Sequence, residues 1–336
     1  MSELSKIPVT VITGFLGAGK TTLIRHLMAN PQGKRLAVLV NEFGTAGVDG
    51  DILKSCADEN CPENNIVELA NGCICCTVAD DFIPTIEALM ALEPRPDHIL
   101  IETSGLALPK PLLKAFDWPA IRSRITVDGV IALADAEAVA AGRFAPDVEA
   151  VQKQREADDS LDHDTPLGEV FEDQISCADI ILLSKADLAG ADGLAKAKAV
   201  IEAEMPRKVP LIAMTEGVID PRVVLGLDAR PSHHDGADDH VHDDFDSVVI
   251  ELDEVENPKA LEAAILRLAR EQGALRVKGY IAVTGKPMRM LVQAVGERLR
   301  TQYDRPWGET PRRSQLVVIG EHDNIDAARI RAVLEG

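Results

Sequence analysis

Residues 14–21 read Gly14-Phe15-Leu16-Gly17-Ala18-Gly19-Lys20-Thr21 and fit the pattern G-x-x-x-x-G-K-[ST] at every fixed position. The chemistry such a spacing serves is phosphate binding. Glycines let successive backbone N–H groups turn toward phosphate oxygens, while a helix N-terminus and a lysine ammonium add positive potential. Gly14, Gly17, Ala18, Gly19, Lys20, Thr21 and Thr22 are the expected nucleotide contacts, with the Thr21 hydroxyl directed at Mg²⁺. The flanks agree, since 7–13 (IPVTVIT) reads as a strand and 21–28 (TTLIRHLM) as a helix. A nucleoside triphosphate is the expected ligand.

Two further stretches complete such a site. Residues 98–103 (HILIET) read as a buried parallel strand delivering Glu102-Thr103-Ser104-Gly105 at its C-terminal end, where α/β sheets place catalytic groups. Glu102 is the expected carboxylate for Mg²⁺ and, with Lys20, the expected catalytic pair. Gly105 fits a second switch whose N–H senses the γ-phosphate. Residues 179–184 (DIILLS) form another strand, ending in Ser184-Lys185-Ala186-Asp187. An Asp carboxylate accepts from the ring N–H and the exocyclic amine of guanine together, a pair adenine does not offer, and the Lys185 stem can lie along the base. Ser184 stands where an asparagine is usual, which removes one amide contact. GTP is therefore the expected nucleotide. No glutamine just after Gly105 presents itself to orient the attacking water, so slow intrinsic hydrolysis is expected.

A second chemistry lies in Asn71-Gly72-Cys73-Ile74-Cys75-Cys76, three thiols within four residues ahead of a helix expected over 80–92. Thiolates bind soft or borderline divalent metals, and a helix start lowers thiol pKa. Cys73, Cys75 and Cys76 leave a tetrahedral site one ligand short, to be supplied by water, Glu42, a histidine or another chain. Glu42 and Asp49 sit in a glycine-punctuated stretch after a strand at 35–40 (RLAVLV), where a first switch loop belongs. Both are candidates to approach Mg²⁺ or a second ion. Cys56 and Cys61 read as bystanders.

The elements that must position these groups form an α/β class with a mostly parallel sheet. Short strands are expected at 66–69, 127–135 and 211–215, the last closing the sheet. The acidic stretch 147–168 holds few apolar residues and reads as a surface loop. From Asp228 the composition changes to ARPSHHDGADDHVHDDFD, with His233, His234, His240 and His242 alternating with aspartates. It cannot bury a core and reads as a linker that could also collect metal weakly. A small α+β domain follows, with strands at 247–252, 275–284, 288–295 and 316–319, helices at 257–270 and 325–334, and a turn at 304–308 holding Trp307. The expected domains are 1–227, the linker 228–246, and 247–336.

Composition narrows the partners. A length of 336 residues favours two domains, and a formal net charge of −20 argues against nucleic acid or an anionic membrane surface as partner. No apolar run approaches the ~20 residues a membrane span needs, and the N-terminus lacks a signal-peptide apolar core. Six cysteines without an export signal are expected as thiols or metal ligands, and the location as cytoplasmic.

In this order GFLGAGKTT, NEFG, GCICC, ETSG and SKAD resemble the CobW-type branch of the G3E P-loop GTPases, and VKGYI and RPWG resemble that branch's C-terminal domain. The resemblance runs from about residue 7 to the end. It implies a P-loop GTPase domain followed by a small α+β domain, with GTP and GDP as ligands and hydrolysis coupled to divalent-metal insertion. Relatives include UreG- and HypB-type nickel chaperones. The histidine-rich linker and overall pattern resemble most the members acting in cobalamin biosynthesis. That implies Co²⁺ as cargo and a protein acceptor, cobaltochelatase, with Zn²⁺ as the second cargo because it generally outbinds Co²⁺ at such ligands. Val40 and Thr45 stand where some relatives carry acids, so carboxylate ligands there are not expected. A nucleotide-dependent homodimer is a further expectation. A signalling GTPase with an incidental structural metal is the alternative of another class.

Overall fold

A computed structural model describes residues 6–40, 53–57, 61–68, 82–156, 166–226, 245–308, 311–322 and 324–336. Glu42, Asp49, Cys73, Cys75, Cys76 and the histidines of the expected linker lie outside the described residues. The chain divides into two compact units, Met1–Pro221 and Arg222–Gly336.

The first unit is built on a seven-stranded, all-parallel sheet. In chain order its strands are β1 (Ile7–Gly14), β2 (Leu36–Val40), β3 (Ile66–Glu68), β4 (His98–Glu102), β5 (Ile125–Asp135), β6 (Ile180–Ser184) and β7 (Leu211–Ala213). They lie side by side as β3-β2-β4-β1-β5-β6-β7. Their near-continuous Val, Ile and Leu content suits strands covered on both faces. The helices are α1 (Lys20–Ala29), α2 (Ile83–Met90), α3 (Pro109–Ala115), α4 (Pro119–Arg122), α5 (Ala136–Ala140), α6 (Val148–Glu156), α7 (Leu167–Ser176) and α8 (Ala186–Glu204), while α9 (Pro221–Leu225) begins at the division and belongs to the second unit. One buried cluster joins Val9, Val11, Ile99 and Ile101 to Ile86 and Leu89 of α2. Another joins Ala132, Ile181 and Leu183 to Val170, Phe171 and Ile175 of α7. Every expected strand of this unit is present, within about two residues.

One expectation fails here. The stretch 147–168 is not a loop throughout, because α6 occupies Val148–Glu156 and α7 begins at Leu167. Asp147 makes the difference locally: its Oδ1 accepts from Ala150 N at 2.9 Å, an N-cap, and Val151 is then buried in the core. One cap and one buried apolar anchor suffice for a helix whose charges balance, Glu149 and Glu156 against Lys153 and Arg155.

The second unit is a five-stranded antiparallel sheet of β8 (Phe245–Leu252), β9 (Ala274–Ala282), β10 (Met288–Val295), β11 (Arg298–Pro306) and β12 (Ser314–Glu321), in the order β11-β10-β9-β12-β8. Helices α10 (Pro258–Glu271) and α11 (Ala327–Glu335) supply Leu261, Ile265, Leu268, Ile330 and Leu334 to its core. Asn257 caps α10, its side chain accepting from Ala260 N, with Pro258 in the first helical position. Strand β11 is absent from the sequence reading, which makes 304–306 part of a turn. As an edge strand it shows no alternating burial, and only its pairing with β10 defines it. Trp307, which follows β11, is buried. Among the described residues no helix is long and apolar enough to cross a membrane.

Candidate nucleotide site

Register brings the chemistry together at one end of the parallel sheet. Ile12 of β1 pairs with Glu102 of β4, while Asp135 at the end of β5 pairs with Ser184 of β6. This is the carboxyl edge, at the place where the chain crosses from one side of β1 to the other, and open α/β sheets bind ligands there.

The loop leaving β1 has left-handed backbone at Gly14, Gly17 and Gly19, with φ of 135°, 76° and 94°. At Gly14 space also excludes a side chain, since a Cβ would stand 2.4 Å from Leu133 O. Gly19 precedes α1, whose first-turn N–H groups have no intrahelical acceptors and can therefore receive an anion. Lys20 is buried, and its ammonium donates to Gly14 O at 2.9 Å and Phe15 O at 3.2 Å, arching across the loop. Ala18 is buried beside it, its N–H donating to Phe15 O. Gly17 lies against Pro146, whose Cγ would be 2.9 Å from an added Cβ. Phe15 stacks into a cluster with Phe144 and Phe171, at centroid separations of 6.4 and 6.0 Å.

Thr21 Oγ1 donates to Glu102 Oε1 at 3.2 Å, and Glu102 is 4% exposed. A hydroxyl and a carboxylate at that separation are hard oxygen donors, the chemistry Mg²⁺ prefers. The next residue is locked in place: Thr103 N donates to Ile12 O at 2.9 Å and Thr103 Oγ1 to Thr13 Oγ1 at 3.0 Å. The turn beyond then reaches the phosphate loop itself. An added Cβ at Gly105 would meet Leu16 N at 2.6 Å, so only glycine fits that approach.

At the end of β6, Lys185 takes a left-handed φ of 54° and starts α8. Its Nζ pairs with Asp135 Oδ2 at 2.6 Å, and Asp135 Oδ1 accepts from Ala138 N at 3.0 Å. Ser184 is buried and its hydroxyl donates to Ala134 O at 3.3 Å, so it braces the strand end instead of facing outward. Asp187, in the first turn of α8, is exposed. Thr22 is abutted by the turn after β7, where a Cβ on Gly217 would be 2.6 Å from Thr22 Cγ2.

The expected phosphate contacts, Glu102 and Gly105 thus share one neighbourhood, with Ser184, Lys185 and Asp187 at the end of the second strand along from β1. The expected metal residues Glu42, Asp49, Cys73, Cys75 and Cys76 lie outside the described residues, and among those described no group of three or more His, Cys, Asp or Glu could hold an ion. Sequence reasoning missed Asp135, Phe144 and Pro146, and also Gln174 of α7, whose Nε2 donates to Gly105 O at 3.0 Å. Asp135 was visible as the last residue of an expected strand, but its role depends on register with β6. Gln174 carries a signal of its own, a polar residue on the apolar face of an amphipathic helix.

Comparison with known proteins agrees with this geometry. Residues 8–213 match the family described as CobW/HypB/UreG, nucleotide-binding domain, and residues 245–336 match the cobalamin synthesis protein cobW C-terminal domain. The chain is 51% identical to the zinc chaperone CobW of a Sinorhizobium species, covering 98% of this chain and 96% of that protein. It is 49% identical to the zinc chaperone CobW of Pseudomonas aeruginosa, over 98% and 91% of the two chains. To the zinc chaperone YjiA of Escherichia coli it is 32% identical, over 99% of each. Fold, site geometry and full-length similarity together make the chain a member of the CobW/HypB/UreG family with a CobW C-terminal domain.

Proposed function

We propose that this chain is a GTP-hydrolysing metallochaperone. It binds a divalent transition metal at Cys73, Cys75 and Cys76 while GTP is bound and passes it to a protein acceptor after hydrolysis. The observation that carries this is the meeting of Lys20, Thr21, Glu102 and Gly105 at one sheet edge, in a family whose nearby members are named as chaperones. The C-x-C-C lies between the two switch stretches in sequence.

Each residue then has a defined task. The Lys20 ammonium exchanges its bonds to Gly14 O and Phe15 O for oxygens of the β- and γ-phosphates, and the α1 N–H groups meet the same anion. Thr21 and Glu102 would hold Mg²⁺, which neutralises charge on the phosphates. Asp187 accepts both guanine donors, while Asp135 fixes the Lys185 stem along the base. Ser184 contributes only by supporting that loop.

For the cargo, the names of the relatives at 51% and 49% identity support Zn²⁺. The description of the C-terminal family as a cobalamin synthesis domain supports Co²⁺ with cobaltochelatase as acceptor. Both ions suit thiolate-rich sites, and selectivity between them rests on geometry and supply. Substituting Glu102→Gln tests the GTPase assignment. The variant should bind GTP within a few-fold of wild type while hydrolysis falls by about 100-fold or more. Hydrolysis at the wild-type rate would remove Glu102 from the mechanism.

A further inference from the structure

Gln174 sits on the core-facing side of α7 beside Val170, Phe171 and Ile175, and is 1% exposed. Its Nε2 donates to two carbonyls of the turn that follows Glu102, Gly105 O at 3.0 Å and Ala107 O at 3.2 Å. Two acceptors on one side fix the amide orientation, because the nitrogen must face them. Gln174 Oε1 is then buried with no hydrogen-bond partner among the described residues. A buried acceptor in that condition is destabilising, and a methionine would fill the same space without it. The turn is held on other sides as well. Gly105 lies on Leu16 N, and Lys110 pairs with Asp173, the residue before Gln174.

Within this turn one donor is poorly used. Leu106 N reaches Ser104 Oγ only at 3.5 Å, the limit of a hydrogen bond. The peptide joining Gly105 to Leu106 presents its C=O to Gln174 in this arrangement; rotated by half a turn, it presents the Leu106 N–H instead. Glycine at 105 makes such a rotation accessible. A primary amide carries a donor and an acceptor on one head group, so it can serve both peptide orientations. Glutamate ionised serves only the second, and methionine neither.

We propose that Gln174 is the positioning residue of the second switch. Its Nε2 stays on Ala107 O, while its Oε1 accepts the Leu106 N–H when the Gly105–Leu106 peptide turns as the Gly105 N–H, on the neighbouring peptide, engages the γ-phosphate. With its donors on backbone carbonyls and its head group buried, it sets the turn and does not orient the attacking water. This rests on the reading of Gly105 as the γ-phosphate sensor.

The test compares Gln174→Met and Gln174→Glu with wild type in full-length protein. The probes are fluorescent GDP and a non-hydrolysable GTP analogue, both with Mg²⁺. In Gln174→Met, GDP affinity should stay within about twofold and affinity for the GTP analogue should fall about tenfold, the equivalent of one to two lost hydrogen bonds. In Gln174→Glu, analogue affinity relative to wild type should fall as pH falls through the raised pKa of the buried carboxyl, because the ionised group serves only the turned peptide, whose Leu106 N–H it accepts, while the protonated group can again donate to Gly105 O. Equal losses for GDP and the analogue, or none for either, would overturn the proposal, as would a pH-independent ratio for Gln174→Glu should the methionine variant not fold. Wild-type protein that binds neither nucleotide would overturn the underlying GTPase reading instead.

Discussion

The two units bury polar groups in different ways. Lys20, Glu102, Thr103, Asp135, Gln174 and Ser184 of the first unit are all buried at the carboxyl edge of its sheet or against the turn that leaves it. Among the described residues of the second unit the buried polar side chains are Arg276 and Ser314. Both have plain structural partners: Arg276 donates to Val224 O at 2.6 Å, and Ser314 Oγ donates to Asp253 O at 2.9 Å. Burial alone does not mark function. Asp179 is also buried in the first unit, but at the opposite end of β6, where it accepts from Val130 N at 2.8 Å. Position is the lesson. Polar burial is destabilising unless partnered, and it is the buried groups at the carboxyl edge that stand where open α/β sheets bind ligands, while others such as His98 and Asp179 lie at the amino edge.

The largest effect should come from removing the central cation of that edge. Lys20→Ala should weaken GTP binding by about 100-fold or more, since each charge-assisted bond to a phosphate contributes about 1.5–3 kcal/mol. Titration calorimetry reads this directly. Retained affinity would erase the distinction between the two units.

Arg276→Met sharpens the comparison from the other side. It leaves the Val223 and Val224 carbonyls without their guanidinium donor and should destabilise the second unit by about 1–3 kcal/mol. The GTP dissociation constant should hardly move. Hydrogen exchange along β9, measured beside nucleotide affinity, separates the two. A large loss of nucleotide affinity would mean that Arg276 serves the site.

The smallest effect lies at the amino edge of the parallel sheet. Burial raises the Asp97 pKa, but hydrogen bonds from the Arg35 guanidinium and backbone N–H outweigh it and hold the carboxyl below its usual range. A depressed folded pKa gives stability that is present above the unfolded value and lost as pH falls through the folded one. The pair is partly exposed, so its contribution is about 1 kcal/mol or less. Wild type should lose that increment below about pH 4, and Asp97→Asn should lack it at neutral pH. Identical acid-unfolding profiles would show that the pair contributes nothing.

Much of the site was legible in the sequence because backbone geometry dictates its spacing. Gly14 and Gly19 need left-handed φ, Lys20 must reach back over the loop, and Glu102 ends a strand paired with β1. Asp135 and Gln174 were not legible as site residues, because their partners Lys185 and Gly105 lie 50 and 69 residues away and meet them only through tertiary register. Ser184 reads in the sequence as the loss of one amide contact, and where its hydroxyl goes instead, to Ala134 O, depends on register with β5. Helix α6 was hidden by the acidic stretch that follows it in the sequence, since one cap and one buried apolar residue, Val151, define it. Strand β11 was hidden by lying at an edge with polar residues on both faces.

The central claim is that nucleotide state controls metal affinity. Competitive Zn²⁺ and Co²⁺ titration of the full chain, with Mg·GTP analogue, Mg·GDP and no nucleotide, tests it most directly. The account predicts metal binding about 5–150-fold tighter with the triphosphate, metal tightening the triphosphate by the same factor, and loss of the effect in Cys73→Ser, Cys75→Ser and Cys76→Ser. Equal metal affinity in the triphosphate and diphosphate forms would contradict it and leave a GTPase whose metal plays no part in its cycle.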